Sequence, residues 1–324
     1  GGQFQGGGAG GGAIELLADG SGILTISNGA LISVNGGDTN SSNRGGGGGA
    51  GGSIRLQGGS IFNHGVLLAR GGGIGSDGIA DFDGSGGRIA FDSNGTIKIG
   101  NYDLSGHALN NQNAEFCPFP SMDGTISVSG NFQNQVLNYS TGSLIIDTTA
   151  AFWLHSDGNH GTGMVTEHND SGLIYSSTSF TFDSIDLRGS LLVNLVGKNS
   201  MEFKTQNNGN IIIGVDLNAS ATDADWNATR ITNARLRKAL GKVGGMHGSI
   251  VPSDGNGPGK GKGRIQGILQ PDGLGTDGGG GGYGSPGEFY ANGFGESYGS
   301  PSLAHLHGGS SGGAGQWMSG GAGG

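Results

Sequence analysis

Three carboxylates stand close together in the stretch GSDGIADFDGSGG, residues 75–87: Asp77, Asp81 and Asp83. Carboxylates and backbone carbonyls on a Gly-rich loop are the donors that Ca2+ takes. The spacing fits neither an EF-hand loop nor a regular nonapeptide repeat, and Asp-Gly is also ordinary turn chemistry. Ca2+ at these three residues is the one cofactor the sequence suggests. His305 and His307, in HLH, would set two imidazoles on one face of a strand, half of a metal site. The densest polar stretch is WLHSDGNHGTGMVTEHND, with His155, Asp157, His160, Glu167, His168 and Asp170. These are metal-ligand or acid/base types, but no zinc spacing fits, and a solvated loop is the plainer reading. Asp147, Asp183, Asp186 and Arg188 are the types a polysaccharide-cleaving site would use, although strands commonly carry Asp at their ends. No catalytic set emerges. The many GxGxxG-like matches follow from Gly content and lack the strand-to-helix setting of a phosphate loop.

Six Asn-X-Ser/Thr triplets, at Asn40, Asn94, Asn138, Asn169, Asn218 and Asn227, would accept N-glycans on a eukaryotic secretory route. Gly accounts for 76 of 324 residues and apolar residues for 33%. Gly falls in runs, without the every-third-residue spacing of collagen. Apolar segments such as GAIELLA and SIRLQGGSIFNHGVLLA separate the runs, which a disordered chain would lack. The chain can therefore bury a thin core along its length. A net charge of −9 argues against nucleic-acid binding. Cys117 is the single cysteine, so no internal disulfide forms. No apolar run reaches the ~20 residues of a membrane span. The chain lacks an initiator Met, as a processed form or a piece of something longer would.

The elements that would position these residues are short strands. Ile54 and Leu56 alternate with Ser53 and Arg55, and Ile89 and Phe91 with Arg88 and Asp92, a period of two with one face inward. A run of Gly, a strand, a turn and another strand recur over Gly6–Gly37, Gly45–Gly73 and Gly84–Gly106, the grammar of stacked coils. Residues 107–204 keep the strand signal with fewer Gly. One helix is predicted within TDADWNATRITNARLRKALGKVGG, with Asp223 and Asp225 at its start, Arg237, Lys238 and Lys242 at its end and Gly244 as its stop. Eight of the 16 Lys and Arg lie between Arg230 and Arg264. From Pro252 to Gly324 the chain is Gly-rich again, and Tyr283, Phe289, Tyr290, Phe294 and Tyr298 serve as anchors that a flexible linker would not need. The expected division is 1–106, 107–204, 205–251 and 252–324.

The elements GNGPGKG (Gly255–Gly261), DGGGGGYG (Asp277–Gly284), SYGSP (Ser297–Pro301), GGSSGGAG (Gly308–Gly315), GAGGGAIELL (Gly8–Leu17) and GGGGGAGGSIRL (Gly45–Leu56) form one idiom. It resembles a group of glycine-rich secreted and cell-surface proteins of protists, plants and bacteria with a parallel β-helix, pectin-lyase-like solenoid. The resemblance covers roughly residues 1–106 and 205–324. It implies an extracellular, structural or adhesive protein and carries over no catalytic residue. The fold class expected is all-β: a right-handed parallel β-helix or β-solenoid with Gly-rich, polyglycine-like extended segments and one short helix. In this chain the late elements of the idiom come first. The terminal GGAGG thus reads as leading into GAIELL of a following copy, with Gly1, Gly2, Gly323 and Gly324 at the joint. The expected function is a non-enzymatic structural subunit or tandem repeat of an extracellular filament, surface hair or wall layer. Its partners would be copies of itself, head to tail, together with surface polysaccharide, and neither nucleic acid nor a membrane span. The alternatives are an adhesin or carbohydrate-binding surface protein and a polysaccharide lyase or hydrolase.

Overall fold

The computed structural model of the chain describes residues 3–39, 46–73, 83–103, 116–118, 136–170, 173–222, 240–248, 254–263, 281–283, 286–287, 295–299, 303, 306–313 and 315–317. A first strand, β1 (Gln3–Gln5), precedes three similar passes of the chain. The first pass is β2 (Ala13–Leu17), β3 (Ile23–Ile26) and β4 (Leu31–Ser33). The second is β5 (Ser53–Gln57), β6 (Ser60–Asn63) and β7 (Val66–Leu68). The third is β8 (Arg88–Asp92), β9 (Ile97–Lys98) and β10 (Asn101–Asp103), followed by β11 (Phe116–Pro118). The middle of the chain supplies β12 (Val136–Tyr139), β13 (Ser143–Asp147), β14 (Phe152–His155), β15 (His160–Thr162), β16 (Met164–Asp170), β17 (Leu173–Phe182), β18 (Ser184–Leu187) and β19 (Leu192–Val196). A last pass, β20 (Ser200–Thr205), β21 (Ile211–Ile213) and β22 (Leu217–Asn218), precedes β23 (Gly315–Trp317), which pairs antiparallel with β1.

The expectation of a single right-handed parallel β-helix is not met. The strands lie in four parallel or mixed sheets, stacked on one another, plus the β1–β23 ribbon, and they close no continuous solenoid in chain order. The sheet orders are β11-β8-β5-β2-β20-β17-β16, β12-β18-β21-β3-β6-β9, β10-β7-β4-β22 and β15-β14-β13-β19. Two features break the solenoid. Short connections return β13 to β14, β14 to β15 and β16 to β17 as antiparallel neighbours, which is all a connection that short permits. In addition, the first pass sits directly on the last: β2 pairs with β20, β3 with β21 and β4 with β22. The predicted helix falls on residues 223–239, outside the described residues, and Leu240–Gly244 beyond it are not helical.

One apolar core runs through the stack, with Ile14, Leu16, Leu24, Ile26, Ile32, Ile54, Leu56, Phe91, Phe180, Phe203 and Ile211 all buried. Period-two alternation explains β3, where Leu24 and Ile26 are buried and Ile23 is exposed. It does not explain β2 and β8, which are buried at every position. On β8 the second face meets a second cluster: Ala50, Ala90, Tyr283 and Leu303, with Tyr298 packed against it.

The Gly runs form a bundle, not a sheet. A strand in a sheet has two hydrogen-bonded neighbours, whereas residues 8–13 bond to five other segments. Gly8 N–H donates to Gly47 (2.9 Å), Gly10 to Met246 (2.8 Å), Gly11 to Ala50 (2.9 Å), Gly12 to Ala219 (3.0 Å) and Ala13 to Val243 (2.7 Å). In return the Ala9 carbonyl accepts from Gly37 (2.8 Å), Gly11 from Gly309 (2.8 Å) and Gly8 from Gly312 (3.1 Å). The C-terminal run 308–313 thus lies against the N-terminal run of its own chain. Side chains would prevent this: a Cβ on Gly10 would meet the Gly309 carbonyl, and one on Gly52 the Gly12 carbonyl.

Candidate functional site

Of the proposed Ca2+ ligands, Asp77 and Asp81 lie outside the described residues, and Asp83 is buried and engaged by neighbours. Among the described residues no three His, Cys, Asp or Glu side chains converge as a metal site would require. Asn94, Asn138, Asn169 and Asn218 are exposed, as glycan acceptors must be. Asn40, Asn227, Gly1, Gly2, Gly323 and Gly324 lie outside the described residues.

The carboxylates considered for polysaccharide cleavage hold local structure instead. Asp147 Oδ1 accepts from the Thr149 N–H (2.8 Å) and the Ala150 N–H (3.0 Å). Asp183 accepts from Gln206 (2.9 Å), and Asp186 pairs with Arg188 through both carboxylate oxygens (2.6 Å each). The polar stretch 155–170, read as a loop, is two hairpins, and they separate its histidines. His155 stacks on Tyr139 at 3.8 Å, with Nε2 2.9 Å from the Thr141 carbonyl and Nδ1 2.8 Å from Asp157 Oδ1. Burial of the ring opposes its charge, but these two acceptors outweigh burial and raise its pKa. His168 lies on β16, stacked on Tyr175 at 4.8 Å, with Nε2 2.8 Å from Ser177 Oγ.

The structure brings His307 to this second histidine group. Tyr175 and His307 rings are 4.3 Å apart, His307 and Tyr298 6.0 Å, Tyr298 and Tyr283 4.9 Å, and the Arg88 guanidinium lies 5.0 Å over Tyr283. Beside this aromatic chain is a cavity of about 200 Å³. The start of β17 lines it through Ile174, Tyr175 and Ser176, the turn before β20 through Lys198 and Asn199, and the Gly-rich segments through Met246, Pro258, Tyr298 and His307. Hydrogen bonds fix its walls. Ser200 Oγ donates to the Leu306 carbonyl (2.9 Å), Asn199 Nδ2 to the Thr148 carbonyl (2.8 Å), and Tyr298 Oη to the Gly308 carbonyl (2.5 Å). Burial pushes the Tyr298 hydroxyl pKa up, so it remains a donor. Sequence reasoning missed this cavity because residues 174, 198, 246 and 307 meet only through the bundle.

The ends of the stack are the other notable surfaces. In the six-stranded sheet every pair is parallel, and β12 and β9 are the outermost strands. Val136 on β12 is 58% exposed; at the other end Ile99 is 39% and Tyr102 48% exposed. Among the described residues no helix is long and apolar enough to cross a membrane.

No protein family, curated protein or solved structure matches the chain. The likeness to glycine-rich surface proteins rests on the motifs alone.

Proposed function

We propose that the protein is a structural subunit or tandem repeat unit of an extracellular filament, hair or wall layer, assembling head to tail with copies of itself. One observation carries this reading. The six-stranded sheet is parallel throughout and ends at both sides in a strand with one edge unpaired among the described residues. Unpaired edges template further pairing. A copy placed with its β12 beside β9 extends the sheet in the same direction, a heterologous contact that propagates without closing. The apolar side chains of Val136, Ile99 and Tyr102 at these ends would be buried by the same contact. The Gly bundle suits such a role, because backbone packed against backbone at every residue leaves little freedom to deform. The extracellular assignment rests on the motif resemblance.

Electron microscopy and fibre diffraction of concentrated protein test this. Strands lying across the fibre at ~4.8 Å spacing give a reflection at that spacing along its axis. A charge placed at this exposed end, Ile99→Lys, should abolish the fibres and leave a folded monomer. Monodisperse particles at every concentration would end the proposal.

A further inference from the structure

The cavity between β17, the turn before β20 and the Gly bundle has the makings of a ligand site that self-assembly does not use. Its polar groups are mostly committed within the chain. Asn199 Nδ2 is bonded to the Thr148 carbonyl and to Thr178 Oγ1 (3.1 Å), Ser200 Oγ to Leu306, and Tyr298 Oη to Gly308. A sugar, with a hydroxyl on nearly every carbon, would find few free partners here. Lys198 differs. Its backbone N–H bonds Thr149 Oγ1 (2.9 Å), but its side chain is exposed and its ammonium has no carboxylate partner among the described residues. The remaining walls are apolar or aromatic: Ile174, which is 62% exposed, Met246, Pro258 and the Tyr175, Tyr298 and His307 rings. A space of about 200 Å³ is below the ~300 Å³ at which drug-sized sites begin, and suits a single ring.

We propose that this cavity binds a small aromatic carboxylate, a single ring bearing one acid group. Its carboxylate pairs with Lys198, a charge-assisted contact. Its ring extends the row of stacked, tilted and edge-on contacts that runs from His168 through Tyr175 and His307 to Tyr298, geometries that aromatic rings prefer. Met246 adds a thioether beside the ring. The site is assembled from the sheet stack and the Gly bundle together, so occupancy should also stabilise their junction.

Titration calorimetry and ligand-observed NMR with benzoate and 4-hydroxybenzoate, set against benzyl alcohol, cyclohexanecarboxylate and glucuronate, test the proposal. The two aromatic acids should bind, and each control should bind at least roughly tenfold more weakly, because it lacks either the charge or the ring. Lys198→Met should lower benzoate affinity by roughly tenfold or more while leaving the melting temperature unchanged. Ile174→Asp, on the exposed rim, gives a second variant that keeps the fold and should also weaken binding. Tighter binding of glucuronate than of benzoate, equal binding of benzyl alcohol and benzoate, or no binding of benzoate would each overturn it.

Discussion

His155 shows how a single side chain is set by its neighbours. Nε2 faces the Thr141 carbonyl and Nδ1 the Asp157 carboxylate, two acceptors that together favour the doubly protonated ring over the weaker 3.3 Å bond from the Asp157 N–H to Nδ1. Its pKa in the fold is therefore raised above the usual 6.5. The sign of the linkage follows: the stability this residue contributes is full below pH 6.5 and is lost as pH rises through the folded value. His155→Gln should melt well below the native protein at pH 5 and close to it at pH 9; a gap that widens with pH would contradict the assignment. Glycine makes the opposite point, since what matters is the absence of an atom. Gly10→Ala drives a methyl into the Gly309 carbonyl, backbone that cannot give way, and should cost about 3 kcal/mol or more in urea unfolding. Gly29 has a left-handed φ of 87° but open space around its Cβ position. Gly29→Asn should therefore be tolerated, because Asn accepts that conformation.

At the scale of the element, the central sheet carries charge on a face that is buried. Glu15 on β2 sits between Glu202 on β20 and Arg55 on β5, and Arg55 reaches both Glu15 (3.0 Å) and Asp92 (3.5 Å). Glu202 is held ionised: burial opposes its charge, but Lys204 at 2.6 Å and Ser179 Oγ at 2.5 Å prevail. Glu15 goes the other way. Its burial outweighs the attraction of Arg55, and Glu202 adds repulsion, so its pKa rises. A carboxyl that holds its proton more tightly in the fold than in the unfolded chain makes stability fall as pH climbs past 4.5. Glu15→Gln should match the native urea midpoint at pH 4 and exceed it at pH 8, with Arg55 still paired to Asp92. A lower midpoint at pH 8 would mean that the Arg55 pair dominates. The strands themselves were legible: Ile54, Leu56, Ile89 and Phe91 are inward as their alternation predicts. The second buried face was not, because what covers it, Tyr283 and Leu303, comes from some 200 residues away and carries no periodic signal. Tyr283 could be read as an anchor, since a linker has no use for a large ring, and it is fully buried. The cavity was illegible for the same reason as the second face. The antiparallel hairpins that break the solenoid were hidden inside strand-rich sequence, where Ser156–Asn159 and Thr148–Ala151 give turn signals that a longer coil would also show.

At the scale of the whole molecule, the order of the passes is the decisive feature. In the stack, residues 200–218 are followed directly by residues 13–33, so the pass that begins the chain and the pass that ends the strand-rich region meet in the middle. The seam is bonded beyond its strands. Asp19 N–H donates to Thr205 Oγ1 (3.1 Å), Ser21 to Asn208 Oδ1 (3.0 Å), Ile23 to Asn210 Oδ1 (2.8 Å) and Leu31 to Asp216 Oδ1 (3.0 Å), across separations of up to 187 residues. Pairing so far apart in sequence must meet its loop-closure entropy before any contact repays it, and such topologies fold slowly. It also makes the first pass a middle piece of the stack. Removing an outer element should be tolerated; removing the N-terminus should not. Deletion of residues 1–37 uncovers β5 on one side and β20 on the other, and takes with it the Gly segment that bonds to most of the other Gly-rich runs. Cooperative unfolding should be lost in that truncation, as read by a broad, shallow urea transition. Excision of the β14–β15 hairpin, with Asp147 joined to Met164 by a short Gly-Ser linker, takes strands from the rim of a four-stranded sheet together with the buried Trp153 and His155, which lowers stability but leaves the stack of passes intact. That variant should still unfold in one sharp step. If the two deletions behaved alike, the stack would be a row of independent layers, and the meeting of first and last passes would carry no special weight.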